Sequence, residues 1–240
     1  MLCSSFTRFF FAGADFVGIL RRNTFMDASD THRSRQSQRR FRANLIAHYD
    51  AACPTHPDQL RCLVTSAFVR ADLCIAAHIL PHSSRKLLEL YHIPDMDSVH
   101  DVHNGILWAA RIERAYTDNQ VCMIYNPFTL ELLFVVLDNR LMEEEIGVKN
   151  TELVEMTFAD VHCKQLEIAP EKMPSLRLLL NQAIYAMDHS SARGWPRPAN
   201  FADINRLLDA MRDVVSRMIA DREVDSSEFL ERWAAENPDA

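Results

Sequence analysis

The chain has 240 residues, a net charge of −7, 48% hydrophobic residues and 5 glycines. This composition supports a sizeable core and excludes wholesale disorder, and the length suits one large domain or one domain with an appendage. Residues 1–70 hold 10 Lys/Arg and 5 Asp/Glu, whereas residues 71–240 hold 16 and 28, so an acidic body with a basic arm excludes a broad nucleic-acid-coating surface but permits a local contact to phosphate.

Residues 1–25 contain FTRFFFAGADFVGIL before Arg21-Arg22, a mildly presequence-like run. Asp15 interrupts it, and the run is too short to span a bilayer, so it is expected to lie outside the folded domain. The polar segment 27–42 carries Arg33, Arg35, Arg39, Arg40 and Arg42, and reads as a nucleic-acid-contacting arm or a solvated helix start. From Phe41, the spacing of Leu45, Ile46 and Tyr49 predicts a helix that docks on the central unit and ends at Cys53-Pro54.

Two strands are predicted next, Cys62–Thr65 and Leu73–Leu80, with Pro81 stopping the second. Residues 83–103 form a long connection, in which Leu87, Leu88 and Tyr91 suggest a turn or two of helix and His100 and His103 sit in a polar, acidic stretch. A helix is predicted over Gly105–Tyr116, with Asn104 at its entrance and Trp108 in the core. Val121–Tyr125 and Leu132–Leu137 flank Asn126-Pro127 and predict a β-hairpin, followed by an acidic connection whose Glu143-Glu144-Glu145 run reads as a solvated face.

A helix with Leu176, Leu179, Leu180, Ala183 and Met187 on one face is predicted to end near Gly194, with Asn200 capping a last helix. There Phe201, Ile204, Leu208, Met211, Val215 and Met218 step by threes and fours, a seam that suits either a homodimer through residues 201–218 or packing on the chain's own domain. The fold class expected is α+β. The expected division is an N-terminal arm at 1–40, a domain at 41–195 with its core at 61–118, and a C-terminal amphipathic helix with an acidic tail at 196–240.

The six cysteines, at 3, 53, 62, 74, 122 and 163, include no CxxC pair, which leaves a zinc ribbon unsupported and reads as reduced, mostly buried thiols. No glycine-rich phosphate loop and no GxSxG elbow is present. His78 closes an apolar strand and Asn104 follows 26 residues later. A histidine base, a polar residue that holds it and a ligand on the following helix are the parts that metal-assisted phosphodiester hydrolysis needs. A lone histidine beside Ala76-Ala77 is also a common packed core residue, so spacing alone leaves both readings open.

The residues Arg61-Cys62-Leu63-Val64-Thr65, Ala76-Ala77-His78-Ile79-Leu80-Pro81-His82-Ser83, Asp101, Asn104-Gly105-Ile106-Leu107 and Ile112-Glu113-Arg114-Ala115-Tyr116 together resemble the HNH endonuclease superfamily, in particular the subgroup with an AAHI-P motif. Looser similarity extends through Leu176-Arg177-Leu178-Leu179 to Gly194-Trp195. The resemblance implies a ββα-metal core, extended here by the hairpin and C-terminal helices, and a divalent-metal-dependent endonuclease acting on DNA, with RNA left open as a substrate.

It also implies that His78 is the general base and Asn104 the residue that orients it. Glu113 stands where the family has a metal-ligating histidine, and glutamate oxygen suits Mg²⁺ or Mn²⁺. Ala77 occupies the position of a common second ligand and cannot ligate, and Ser66 replaces a frequent glycine. Asp101, His103 and His82 are the nearest substitute ligands, and Arg39, Arg40 and Arg42 the expected nucleic-acid contacts. The altered ligand positions keep a second reading open, a catalytically degenerate HNH domain that binds nucleic acid or a protein partner. No membrane association is expected. The expected location is intracellular, the nucleus included, with secretion or organelle targeting through residues 1–25 as the alternative.

Overall fold

The structure, a computed structural model of the chain, describes residues 35–81, 96, 98–147 and 155–220, together with 229, 232 and 235. Its elements are α1 (Arg35–His48), β1 (Gln59–Arg61), β2 (Phe68–Arg70), β3 (Cys74–His78), β4 (Gly105–Ala109), α2 (Ala110–Thr117), β5 (Val121–Asn126), β6 (Glu131–Val136), β7 (Lys164–Gln165), α3 (Leu176–Arg193) and α4 (Phe201–Ala220). Helices and small antiparallel sheets share one core, which is the α+β class expected. Among the described residues, no helix is long and apolar enough to cross a membrane.

The central unit is β3, β4 and α2. β3 and β4 pair antiparallel from Cys74↔Ala109 to His78↔Gly105. All five residues of β4 are buried, and α2 begins at the residue after it. The helix predicted over Gly105–Tyr116 is therefore half strand. A short, wholly apolar run satisfies both periods, and pairing with β3 decides the matter here.

The strand expected at Cys62–Thr65 is instead the turn between β1 and β2, which pair from Gln59↔Arg70 to Arg61↔Phe68. Cys62 N–H donates to the Ala67 carbonyl, Ser66 N–H donates to the Cys62 carbonyl, and Ser66 takes φ 60. Cys62, Leu63 and Val64 are buried because the turn docks on β4: Leu63 N–H donates to the Leu107 carbonyl. Docking buries an apolar run as completely as pairing does, so hydrophobicity alone cannot tell the two apart.

The hairpin β5–β6 forms where expected, from Val121↔Val136 to Asn126↔Glu131. Its turn is set by the Asn126 side chain, which accepts from Phe128 N–H at 3.0 Å. β7 joins the outer edge of β6. α3 and α4 lie against β5 and against each other. α3 ends in a left-handed Gly194, φ 61, whose N–H closes on the Ser190 and Ser191 carbonyls.

The apolar seam of α4 is consumed by this packing. Ile204, Leu208, Met211, Val215 and Met218 are all buried within the chain, so the face considered for a homodimer is a core face. Asn200 does not cap α4 with its side chain as expected. Its amide oxygen meets His162 Nε2 at 3.0 Å, and its Nδ2 donates to Cys163 Sγ at 3.1 Å. The Glu143–Glu145 run is exposed and Trp108 is fully buried, both as expected. The expected helical turns at Leu87, Leu88 and Tyr91, residue Arg33 and the run 1–25 lie outside the described residues.

α1 (Arg35–His48) runs across position 41, where the arm was expected to give way to the domain. It buries Phe41 and Leu45 against the start of β4. The Tyr49 hydroxyl donates to the Gly105 carbonyl at 2.8 Å. A Cβ on Gly105 would meet Phe41 Cζ at 2.5 Å and both Leu45 methyls at 2.8 Å. Gly105 has φ −139 and ψ 158, backbone that any residue adopts, so the glycine is required by space and not by torsion. Gly105→Ala is expected to cost about 1–3 kcal/mol of unfolding free energy, as overpacking does, and Leu45→Val in that background to recover part of it. Denaturant unfolding of the three chains checks both.

Candidate active site

Strand geometry brings the first two predicted residues together. His78 is the last residue of β3 and faces Gly105, so it stands beside Asn104 at the mouth of the strand pair. Asn104 ends a 3-10 turn over Val102–Asn104 and precedes a strand, so it does not stand at the entrance of a helix. It is fully buried, and its amide makes three hydrogen bonds. Oδ1 accepts from Leu80 N–H at 2.7 Å, and Nδ2 donates to the Leu80 carbonyl at 3.1 Å and the Val99 carbonyl at 2.8 Å. Its backbone carbonyl also accepts from Ile79 N–H at 2.9 Å. One residue thus closes the excursion between β3 and β4 at both of its ends.

The His78 ring is half-buried and stacks on Phe41, with centroids 4.0 Å apart and planes 5° from parallel. Its Nε2 lies 3.1 Å from His100 Nδ1. Asp101 caps the 3-10 turn by accepting from His103 N–H, and the same oxygen meets His103 Nδ1, both at 2.9 Å. The His103 carbonyl accepts from Ser175 N–H, which ties this turn to the start of α3. His48 of α1 sits edge-on to His103, and its Nε2 lies 3.1 Å from the Lys172 carbonyl. Burial holds the His48 pKa below its ordinary value, against the opposing hydrogen bond to Lys172.

Glu113 lies in the first turn of α2, half-buried, and accepts from Thr117 Oγ1 at 3.1 Å. Among the described residues, no three His, Cys, Asp or Glu side chains gather into a metal-binding group, so Glu113, Asp101 and His103 do not form a closed cage. Ala77 is 8% exposed and packs in the core, so no donor stands at that position. The donor chemistry still suits a hard cation. One hydroxyl bond occupies about one of the four lone-pair positions of the Glu113 carboxylate. Mg²⁺ is commonly held by one or two carboxylates, with substrate phosphate and water completing its shell. His82 lies outside the described residues.

Of the arginines, Arg39 and Arg40 are exposed on α1. Arg42 turns inward and donates through both terminal nitrogens to the carbonyls of Ala71 and Cys74. It therefore pins α1 to the start of β3. A cysteine nucleophile finds no support here, since Cys62 and Cys74 are buried and burial pushes the Cys74 thiol up to about 12.

Sequence reasoning overlooked Phe41 and His100 as parts of the site. Phe41 was visible only as the start of an apolar stripe, and His100 only as one of several histidines in a polar loop. Removing the buried amide tests its structural part: Asn104→Ala leaves two carbonyls and one N–H without their partner, and is expected to lower unfolding free energy by about 2–5 kcal/mol. Thermal or denaturant unfolding measures it.

Comparison with known proteins bears on the same stretch. The HNH endonuclease family model matches residues 62–123. No curated protein and no solved structure matches the chain. The match takes in β3, the 3-10 turn, β4 and α2, and stops within β5. The segment that carries His78, Asn104 and Glu113 belongs to the HNH endonuclease superfamily.

Proposed function

We propose that the protein is a divalent-metal-dependent endonuclease that hydrolyses phosphodiester bonds of DNA. The observation that carries this reading is the placement of His78 at the end of β3, beside a buried Asn104, within the HNH segment. Hydrolysis forms a bond from water oxygen to phosphorus and breaks the bond from phosphorus to the leaving oxygen. His78 takes the proton that the attacking water loses, a role suited to an imidazole near neutral pH. Asn104 holds Leu80, two residues beyond His78, and so keeps the base at the strand mouth. Glu113 holds Mg²⁺ or Mn²⁺, since Asp101 and His103 are engaged with each other. Such an ion, when bound, neutralises charge on the phosphate and the leaving oxygen.

DNA contact falls to the exposed Arg39 and Arg40, which immediately precede the residue stacked on His78. The burial of Ala77 and the scattered donors favour a second reading, a degenerate HNH domain that binds nucleic acid or a protein partner without cutting.

Purified chain incubated with supercoiled plasmid and Mg²⁺ or Mn²⁺ is expected to nick it, and His78→Ala to lower the rate about 100-fold or more. Glu113→Ala is expected to abolish stimulation by the metal. A wild-type chain that cuts neither plasmid nor single-stranded RNA with either ion sinks the enzyme reading in favour of the binding module.

Duplex binding across a salt series separates the arginines. Replacing Arg39 and Arg40 by alanine is expected to flatten the slope of log K against log salt by about 0.9 for each phosphate that is no longer neutralised. Arg42→Ala is expected to lower stability and leave that slope unchanged. An unaltered slope in the Arg39/Arg40 variant removes the arm from DNA binding.

A further inference from the structure

We infer that the cavity between the C-terminal ends of α2 and α3 is a second binding site, which takes an unpaired nucleotide of a DNA strand beside the point of cleavage. The inference rests on the reading of the chain as a DNA endonuclease. It starts from the residues that line the cavity, which include Thr117, Asp118, Gln120, His189, Arg193 and Trp195. The volume is about 380 Å³. Sites for small organic molecules run from about 300 to 1,000 Å³, so a single nucleotide is of the right order.

A nucleotide offers a flat π face, a charged phosphate and a base edge with donors and acceptors. The cavity holds a counterpart for each. Trp195 is half-buried, and the His189 ring meets it near-perpendicular, with centroids 5.4 Å apart. The left-handed Gly194 turns the chain so that Trp195 N–H donates to the Ser190 carbonyl at 3.3 Å. The Pro196 carbonyl accepts from Asn139 N–H at 2.8 Å. The backbone is thus tied on both sides of the indole, and stacking on a ring already in place costs little ordering. Arg193 is exposed, and a guanidinium suits a phosphate. Gln120 Nε2 donates to Asp138 Oδ2 at 3.2 Å, so a ligand meets the Gln120 oxygen. That oxygen and the Asp118 carboxylate are acceptors for the amino group of a base. The opposite charges also disfavour simpler ligands. Inorganic phosphate suits Arg193 but is repelled by Asp118, and a bare cation suits Asp118 but is repelled by Arg193. The two ends of one nucleotide satisfy both.

Two contacts tie this cavity to the candidate active site. The Tyr116 hydroxyl donates to the Ile79 carbonyl at 3.3 Å, and Ile79 follows His78. The C-terminal end of α2 therefore lies at the His78 end of the strand pair. Thr117 lines the cavity, and its hydroxyl donates to Glu113 at 3.1 Å. Glu113 stands one turn earlier, about 6 Å along the helix axis. A strand with its scissile phosphate at Glu113 therefore carries its neighbouring nucleotides past the cavity. Within a duplex, entry of a base costs unpairing and unstacking, whereas a base that is already unpaired enters without that cost. The site thus favours DNA with a single-stranded end over a continuous duplex.

The test is fluorescence anisotropy of labelled DNA with the full chain, with EDTA in place of metal. A duplex that ends in a short single strand is compared with the same duplex made blunt. The wild type is expected to bind the overhung duplex about 5- to 100-fold more tightly, the scale of one stacked base. Trp195→Ala is expected to erase that preference, and Trp195→Phe, which keeps an aromatic face, to retain most of it. Arg193→Ala is expected to flatten the slope of log K against log salt for the overhung duplex by about 0.7, the value for one single-strand phosphate. Equal binding of the two duplexes by the wild type overturns the inference, as does a preference that survives in Trp195→Ala. A free deoxynucleoside monophosphate that binds as tightly as the overhung duplex overturns it too, because the strand then adds nothing. Binding is read without cleavage, so a chain that prefers the overhang but nicks no plasmid loses the nuclease reading and keeps this site.

Discussion

The buried amide of Asn104 is the interaction on which the site depends. Leu80 and Asn104 are 24 positions apart, and bringing such distant points together costs loop-closure entropy before any contact repays it. Three hydrogen bonds made away from water meet that cost, and each would leave an orphaned polar group if broken. The placement of His78 thus depends on a side chain that, in the proposed mechanism, never touches substrate. The same amide reaches Val99, so the turn carrying His100, Asp101 and His103 is located by the residue that locates the strand end.

A second constraint comes from outside the family segment. α1 precedes residue 62, yet it supplies the ring beneath His78, the arginine that pins β3 and the hydroxyl that binds the Gly105 carbonyl. Gly105 permits this by having no side chain, which lets Phe41 and Leu45 approach β4 closely. The glycine that follows Asn104 is thus explained by the helix above it. In the other direction, α3 and α4 cover β5, and His162 ties the end of β6 to the residue before α4. Its Nδ1 accepts from Val136 N–H while Nε2 meets the Asn200 amide.

Much of the fold was legible where the signal is local. The β5–β6 hairpin follows from two apolar runs around Asn126-Pro127, and α3 from an apolar stripe closed by Gly194. The failures share one cause. Cys62–Thr65 and Gly105–Ala109 are short apolar runs, and whether such a run becomes a turn, a strand or a helix is decided by what it meets. The α4 seam is similar: a stripe of large apolar residues announces that something covers it, and only the tertiary structure names β5 and α3. In the site, His78 and Asn104 were legible from the motif that surrounds them. His100 was not, because a contact between a strand end and a loop residue 22 positions apart leaves no periodic trace. The arginines were legible as charge, but Arg42 could not be told from Arg39 and Arg40 until α1 was docked.

By itself the sequence determined the family of the central segment, the identity of its histidine and asparagine, and the presence of Ala77 and Glu113 at positions where the resemblance leads one to expect metal ligands. Those are facts of residue type in order along the chain. Only the tertiary structure decided that Ala77 faces the core, that Asp101 is paired with His103, that Phe41 lies beneath His78 and that His100 faces its Nε2. Each of these depends on which side chains meet across separate elements. Hydrogen bonds and ring contacts act over a few ångströms in space and carry no record of separation along the chain.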